Sequence, residues 1–299
     1  MATLYTQVES NVRKTWFFLF LLFSFIIFLG WIFSYILDNN LILIIAVILS
    51  FLFNFYSYWY SDKFVIWLSR AKRIEKKDNP RLYRLVENLC ITAGLPMPKI
   101  YIMPGRQANA FATGRDKNHS AIVFTEGILE KLEDEELEGV IAHELAHIGN
   151  RDILLSTILV VLVGIVALLS RFFLQISFFG GGRRRGREER SPILLILALA
   201  LAILAPLFAT LLRLAISRKR EFLADATGAL LTRYPEGLAR ALEKIAQDKE
   251  PLPQASSATA HLFIANPFKG RQKTNWLLKL FMTHPPIEER IKALREMSI

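Results

Sequence analysis

The chain has 299 residues, 53% of them hydrophobic, and a mean hydropathy of +0.32, which is too apolar for an ordinary soluble domain. The formal net charge is +10, but the basic residues crowd beside apolar blocks; with no nucleic-acid motif and no aromatic–basic stripe outside those blocks, the pattern fits anionic lipid and not nucleic acid. The single cysteine, Cys90, excludes an internal disulfide framework and a cysteine-based metal site, and its helical surroundings predict a buried thiol.

Residues 16–37 form an uncharged apolar run. About 22 residues at ~1.5 Å rise reach roughly 33 Å, enough to cross a bilayer core. The run is too long and too aromatic for a signal peptide and lacks a small-x-small cleavage site, so it predicts a retained span. Asp38-Asn39-Asn40 makes a polar turn, and a second run, 41–60, returns and ends in aromatic residues that suit a membrane interface. Lys and Arg flank this pair on both sides and are absent from its turn, which puts both flanks in the cytoplasm.

Residues 78–151 read as a soluble unit. Asn79-Pro80 starts a helix over 81–93; strands are predicted at 99–103, 109–114 and 121–125, with a short helix at 126–132. Asp134-Glu135-Glu136 opens a further helix with acids at its N-terminus, as the helix dipole favours. That helix carries His143-Glu144-Leu145-Ala146-His147, an H-E-x-x-H pattern. Two His four positions apart lie one turn apart on one face, so both rings can reach one metal, and Glu144 can take a proton from an attacking water. Two imidazoles and a carboxylate among apolar neighbours are costly to bury without a partner, and a metal supplies one. The alternative is a chance pattern on a solvated helix.

Only Gly149-Asn150-Arg151-Asp152 separates this helix from a third apolar block, 153–170. A Gly/Arg-rich basic loop follows, then a fourth block, 192–212, with Pro206. If both blocks span, the 183–190 loop sits on the far side, against the charge rule; a hairpin that does not cross would keep it cytoplasmic. A crossing hairpin is favoured, and both of its ends return to the same side in either case.

After the hairpin come Glu221 and Asp225, four apart on one helix face. Glu221 can return beside His143 and His147 as a third ligand, leaving the open position of a catalytic site. Asp225 can hydrogen-bond a ligand His and fix its tautomer. Otherwise both are solvated acids pairing with Arg218 or Arg220. Pro235 starts a helix to about residue 249, and 251–259 is a small-residue loop that could be mobile. His119 and His261 have no evident partner and read as structural or solvated.

Four stretches together, His143–His147, 217–225, 109–114 and 282–290, resemble the membrane gluzincin metalloproteases of the HtpX heat-shock type, in the family's order and over nearly the whole chain. The resemblance implies an α+β integral-membrane fold: a gluzincin-like domain with a small β-sheet and the motif helix, plus four transmembrane helices. The segments expected are 1–62 (anchor), 63–152 (first catalytic part), 153–212 (hairpin, with its loop at 171–191) and 213–299 (second catalytic part). It implies one Zn²⁺ held by His143, His147 and Glu221, with Glu144 as base. It implies that Asn109, Ala110, Phe111 and Ala112 lie on an edge strand pairing with substrate backbone, although this strand could instead simply pack in the core. It implies that His284 and Arg290 stabilise the oxyanion. Otherwise His284 caps a helix, and Arg290 pairs with a nearby acid such as Glu288 or Glu289.

The implied role is cleavage of misfolded membrane proteins at their cytoplasmic segments, at a bacterial inner membrane, as part of stress-related quality control. A prenyl-protein peptidase of the same superfamily is the alternative enzyme, though four apolar blocks and a short chain fit it less well. A non-catalytic polypeptide-binding scaffold is disfavoured by the intact motif. A metal transporter fails because the candidate ligands flank the apolar blocks.

Overall fold

The computed structural model describes residues 4–36, 38–179, 218–256, 258–268 and 285–297. The fourth apolar block, the basic stretch 183–190 and His284 lie outside the described residues.

The first apolar runs become two long helices, α1 (Leu4–Ile36) and α2 (Asn40–Leu68). The Asn39 side chain starts α2 by accepting the Leu41 N–H. Aromatic and aliphatic side chains stay exposed along both helices, among them Trp16, Phe20, Trp31, Ile44, Phe51 and Phe55. In water that surface would carry a large hydrophobic cost; in lipid it carries none. Both helices are long and apolar enough to cross a membrane, and α2 runs eight residues past the predicted end of its block.

Lys72–Arg73 (β1), ahead of the helix at 81–93 and inside the 63–152 segment, joins the sheet as a strand that the sequence pattern did not mark. Helix α3 (Pro80–Ala93) starts where Asn79 accepts the Leu82 N–H and ends at Gly94 in the left-handed conformation. Strands β2 (Lys99–Met103), β3 (Ala110–Asp116) and β4 (His119–Thr125) complete a four-stranded sheet in the order β1-β2-β4-β3. β2 runs parallel to β4; β3 pairs antiparallel with β4, Ala110 opposite Phe124, and forms an edge. A bulge follows Gly114, whose φ of 143° suits glycine and where a Cβ would collide with the His119 carbonyl.

Strand alternation divides the core in two. Ile100, Ala110, Ala112, Ile122 and Phe124 face α3 and α5 (Asp134–Gly149). Met103, Phe111 and Val123 face the roots of α2 and α6 (Asp152–Phe179) and the segment carrying Leu252, Ala255 and Phe263. The 251–259 loop is therefore packed through Leu252, Ala255 and Ala258 and not left loose on the surface. Between β4 and α5 lies the short α4 (Glu126–Lys131).

The chain bends by 83° between α5 and α6, with Arg151 at φ 55° in the break. Leu154, Ile158 and Leu162 of α6 pack on Leu19 and Leu22 of α1, so the motif helix leads directly into a helix seated against the first apolar one. The remaining described helices are α7 (Arg218–Thr232), α8 (Pro235–Gln247) and α9 (Ile287–Arg295).

Candidate metal centre and catalytic cleft

Helix α5 is held at its N-terminus. The buried Glu136 carboxylate accepts the Glu133 N–H at 2.9 Å and Lys244 at 2.7 Å, and the middle of the helix is buried on all sides. Helix α7 crosses it closely: a Cβ on Gly228 would sit 3.1 Å from the His143 nitrogen. That approach brings Glu221 and Asp225 to the motif.

His143 and His147 turn their Nε2 atoms toward each other, 3.1 Å apart. Glu221 Oε2 lies 3.9 Å from His143 Nε2, and Glu221 Oε1 lies 3.7 Å from His147 Nε2. The three residues could hold a metal ion, with one ligand atom from each inside a 4.8 Å set. Donors at about 2.1 Å from a tetrahedral ion sit roughly 3.4 Å apart. The observed spacings straddle that value, so the donor set fits.

Each imidazole has a carboxylate behind it. His143 Nδ1 lies 2.9 Å from Asp225, and His147 Nδ1 lies 3.0 Å from Asp152. Both contacts favour Nδ1–H and leave Nε2 free to accept. Asp225 is in turn gripped by Arg290, which donates from Nε at 2.8 Å and from a terminal nitrogen at 2.7 Å. Arg290 is fully buried and also donates to the Ile264 carbonyl at 2.9 Å. Its close partner is therefore Asp225 on α7, with Glu221 of the same helix 3.8 Å away, and not Glu288 or Glu289 on its own turn.

The electrostatics follow from burial and these partners. Burial holds His143 down to about 4, against the pull of Asp225. For His147 burial acts the same way, but in the metal-free cleft it is outweighed by the Asp152 hydrogen bond and the Glu221 charge, which push it up to about 9; a metal at Nε2 would displace that proton. Burial opposes ionisation of Asp225 as well, yet Arg290 and His143 hold it down at about 2. Burial raises Glu144 to about 7, with Glu221 adding to the shift.

Glu144 shares the cleft with His143, His147 and Glu221, and the Ala112 N–H hydrogen-bonds its carboxylate. The cleft is narrow, about 30 Å³, and its far wall is the 261–264 segment. That segment lies along β3: the Ile264 N–H donates to the Ala110 carbonyl at 3.0 Å. The Asn109 side chain donates to the Ala265 carbonyl at 3.0 Å, and Phe111 turns away from the cleft to meet Phe263 edge-on at 5.1 Å. Of the four candidate strand residues, Ala112 alone lines the cleft.

Two histidines set aside in the sequence have partners. His119 is exposed and its Nδ1 lies 2.9 Å from Asp116. His261 is buried in the cleft wall, with Nε2 donating to the Ser156 carbonyl at 3.0 Å. Asp152 was missed because it reads as the helix-starting acid of α6; its place five residues after His147 was the available signal.

The sequence matches the model of peptidase family M48 over residues 76–298. A protease HtpX homolog of Dictyoglomus turgidum is 47% identical over 296 residues, covering 99% of this chain and 95% of that one. Another, from Thermococcus sibiricus, is 44% identical over 269 residues, covering 89% and 90%. The crystal structure of S. mikatae Ste24p aligns with a TM-score of 0.44 and 24% identity, over 71% of this chain and 49% of that one, so the chain spans about half of that protein. The family match and the near full-length relatives agree: the chain belongs to peptidase family M48, as a membrane-bound, metal-dependent protease.

Proposed function

We propose that this protease is a zinc endopeptidase that cuts membrane proteins at segments exposed on the cytoplasmic side of a bacterial inner membrane, in protein quality control. The observation that carries the reading is the convergence of His143, His147 and Glu221 in one cleft with Glu144 beside the edge strand β3. Two imidazoles and one carboxylate suit Zn²⁺ and leave a coordination position open. When bound, the ion polarises the scissile carbonyl and acidifies water.

The chain's residues carry the proton. Glu144 accepts one from the attacking water and delivers it to the leaving amine. Its raised affinity for protons suits a base working near neutral pH. Arg290 grips Asp225 and the Ile264 carbonyl, and its terminal nitrogens also lie 3.8 Å from Glu221 and 3.5 Å from the His143 ring, which supports a role in positioning Asp225 beside the oxyanion role proposed for Arg290 and His284.

Substrate enters as an extended strand beside β3, along the edge backbone of Ala110 and Ala112, of which Ala112 lines the cleft. The Ile264 N–H already occupies the Ala110 carbonyl, so a substrate strand displaces that contact to pair along the whole edge. The 1–62 anchor and the 153–212 hairpin, four spans in all, hold the cleft at the cytoplasmic face in this reading. The basic flanks of α1 and α2 and the short step from α5 to α6 support it.

The test uses purified full-length protein stripped with chelator. Casein cleavage returns with stoichiometric zinc and disappears again with chelator. Cleavage that survives complete removal of metal contradicts the reading.

A further inference from the structure

Asp152, which backs His147, is itself held by a residue from the membrane anchor. Its Oδ2 faces His147, while its Oδ1 accepts the Asn11 amide at 2.6 Å and Arg220 at 3.2 Å. Asn11 lies on α1, five residues before the exposed Trp16, and only 1% of it is exposed. Its amide is committed at both ends: Nδ2 also reaches the Asn150 carbonyl at 3.2 Å, and Oδ1 accepts from Arg220 at 3.1 Å. A buried carboxylate keeps its orientation only while its partners do, and a side-chain amide with both ends engaged cannot rotate without breaking them.

We infer that Asn11 is a positioning residue of the metal site, acting through Asp152 to fix the tautomer and aim of His147. The first membrane helix is then part of the metal centre as well as a tether. The inference rests on the metal reading of His147 given above. A ligand histidine whose backing carboxylate loses a partner is held less firmly, and losses of metal affinity of roughly 10–100-fold are typical of such changes.

The experiment measures zinc affinity by chelator competition on the full chain in detergent. It also records the visible spectrum of the Co²⁺-loaded protein and the melting temperature of the metal-free protein. Asn11→Ala is expected to weaken zinc binding about 10-fold or more and to shift the Co²⁺ bands. Its metal-free melting temperature should fall no further than that of Ser34→Ala, a buried change elsewhere on α1. Asn11→Asp keeps the volume but removes the donor to Asp152, and the same loss is expected if Asn11→Ala does not fold.

If Asn11 acts through Asp152, adding Asn11→Ala to Asp152→Ala costs no further affinity. Wild-type affinity in Asn11→Ala, or losses that add in the double variant, overturns the inference. His147→Ala separates the two levels. If it binds zinc as tightly as wild type, the metal reading fails and the inference with it. If His147→Ala loses zinc while both Asn11 variants keep it, the inference alone fails.

Discussion

The two motif histidines have matching first partners and different second ones. His143 is backed by Asp225, and Asp225 by Arg290, all from the soluble helices α5, α7 and α9. His147 is backed by Asp152 at the root of α6, and Asp152 by Asn11 on α1 and Arg220. One half of the centre is thus braced by the catalytic unit alone, and the other by α1 together with Arg220 of α7. The lesson is that a shared ligand geometry can rest on two different supports, of which only one reaches into α1.

The largest break removes a ligand common to both halves. Glu221→Ala is expected to lose metal by elemental analysis and casein cleavage with it; retained stoichiometric zinc would point to a different third ligand. Next comes Arg290→Ala, which leaves the buried Asp225 carboxylate without its cation. Breaking a buried pair from one side costs about 3–5 kcal/mol, so the metal-free protein should show a marked drop in melting temperature. An unchanged melting temperature would mean that the soluble-side support carries little.

Asp225→Asn sharpens the comparison at lower cost. It should weaken zinc about 10–100-fold by chelator competition while leaving the contacts of His147 intact. A smaller effect is expected in the pH dependence of metal-free stability. Asp225 titrates near 3.8 when unfolded and is held at about 2 when folded. Its stabilisation is therefore complete above about pH 4 and is lost as pH falls through about 2, on the order of 2 kcal/mol in all. Asp225→Asn should remove that acid slope, which denaturant melts between pH 5 and 2 would detect.

Much of this was legible because it is local. Asn79-Pro80 announced α3, alternation marked β2 and β4, and four-residue spacing put His143 beside His147. Glu221 and Asp225 could be paired with the motif because a hairpin over 153–212, crossing or not, was expected to return the chain to the same side. What stayed hidden depends on long-range neighbours. Strand β1 has two residues and no pattern of its own, and exists only because Ile102 and Tyr101 lie opposite. Arg290 sits beside two acids in sequence yet turns inward to Asp225, since a charge buried this deeply needs a buried counter-charge. Asn11 and Asp152 are separated by 141 positions, and nothing near Asn11 signals a catalytic neighbour. The 261–264 segment lies against β3 through a backbone bond that no side-chain pattern encodes.

The central claim is that His143, His147 and Glu221 hold the metal while Glu144 moves the proton. Casein cleavage by purified Glu144→Gln, with zinc content read on the same sample, tests it most directly. One zinc per chain with no cleavage is the predicted result. Cleavage at the wild-type rate would contradict it.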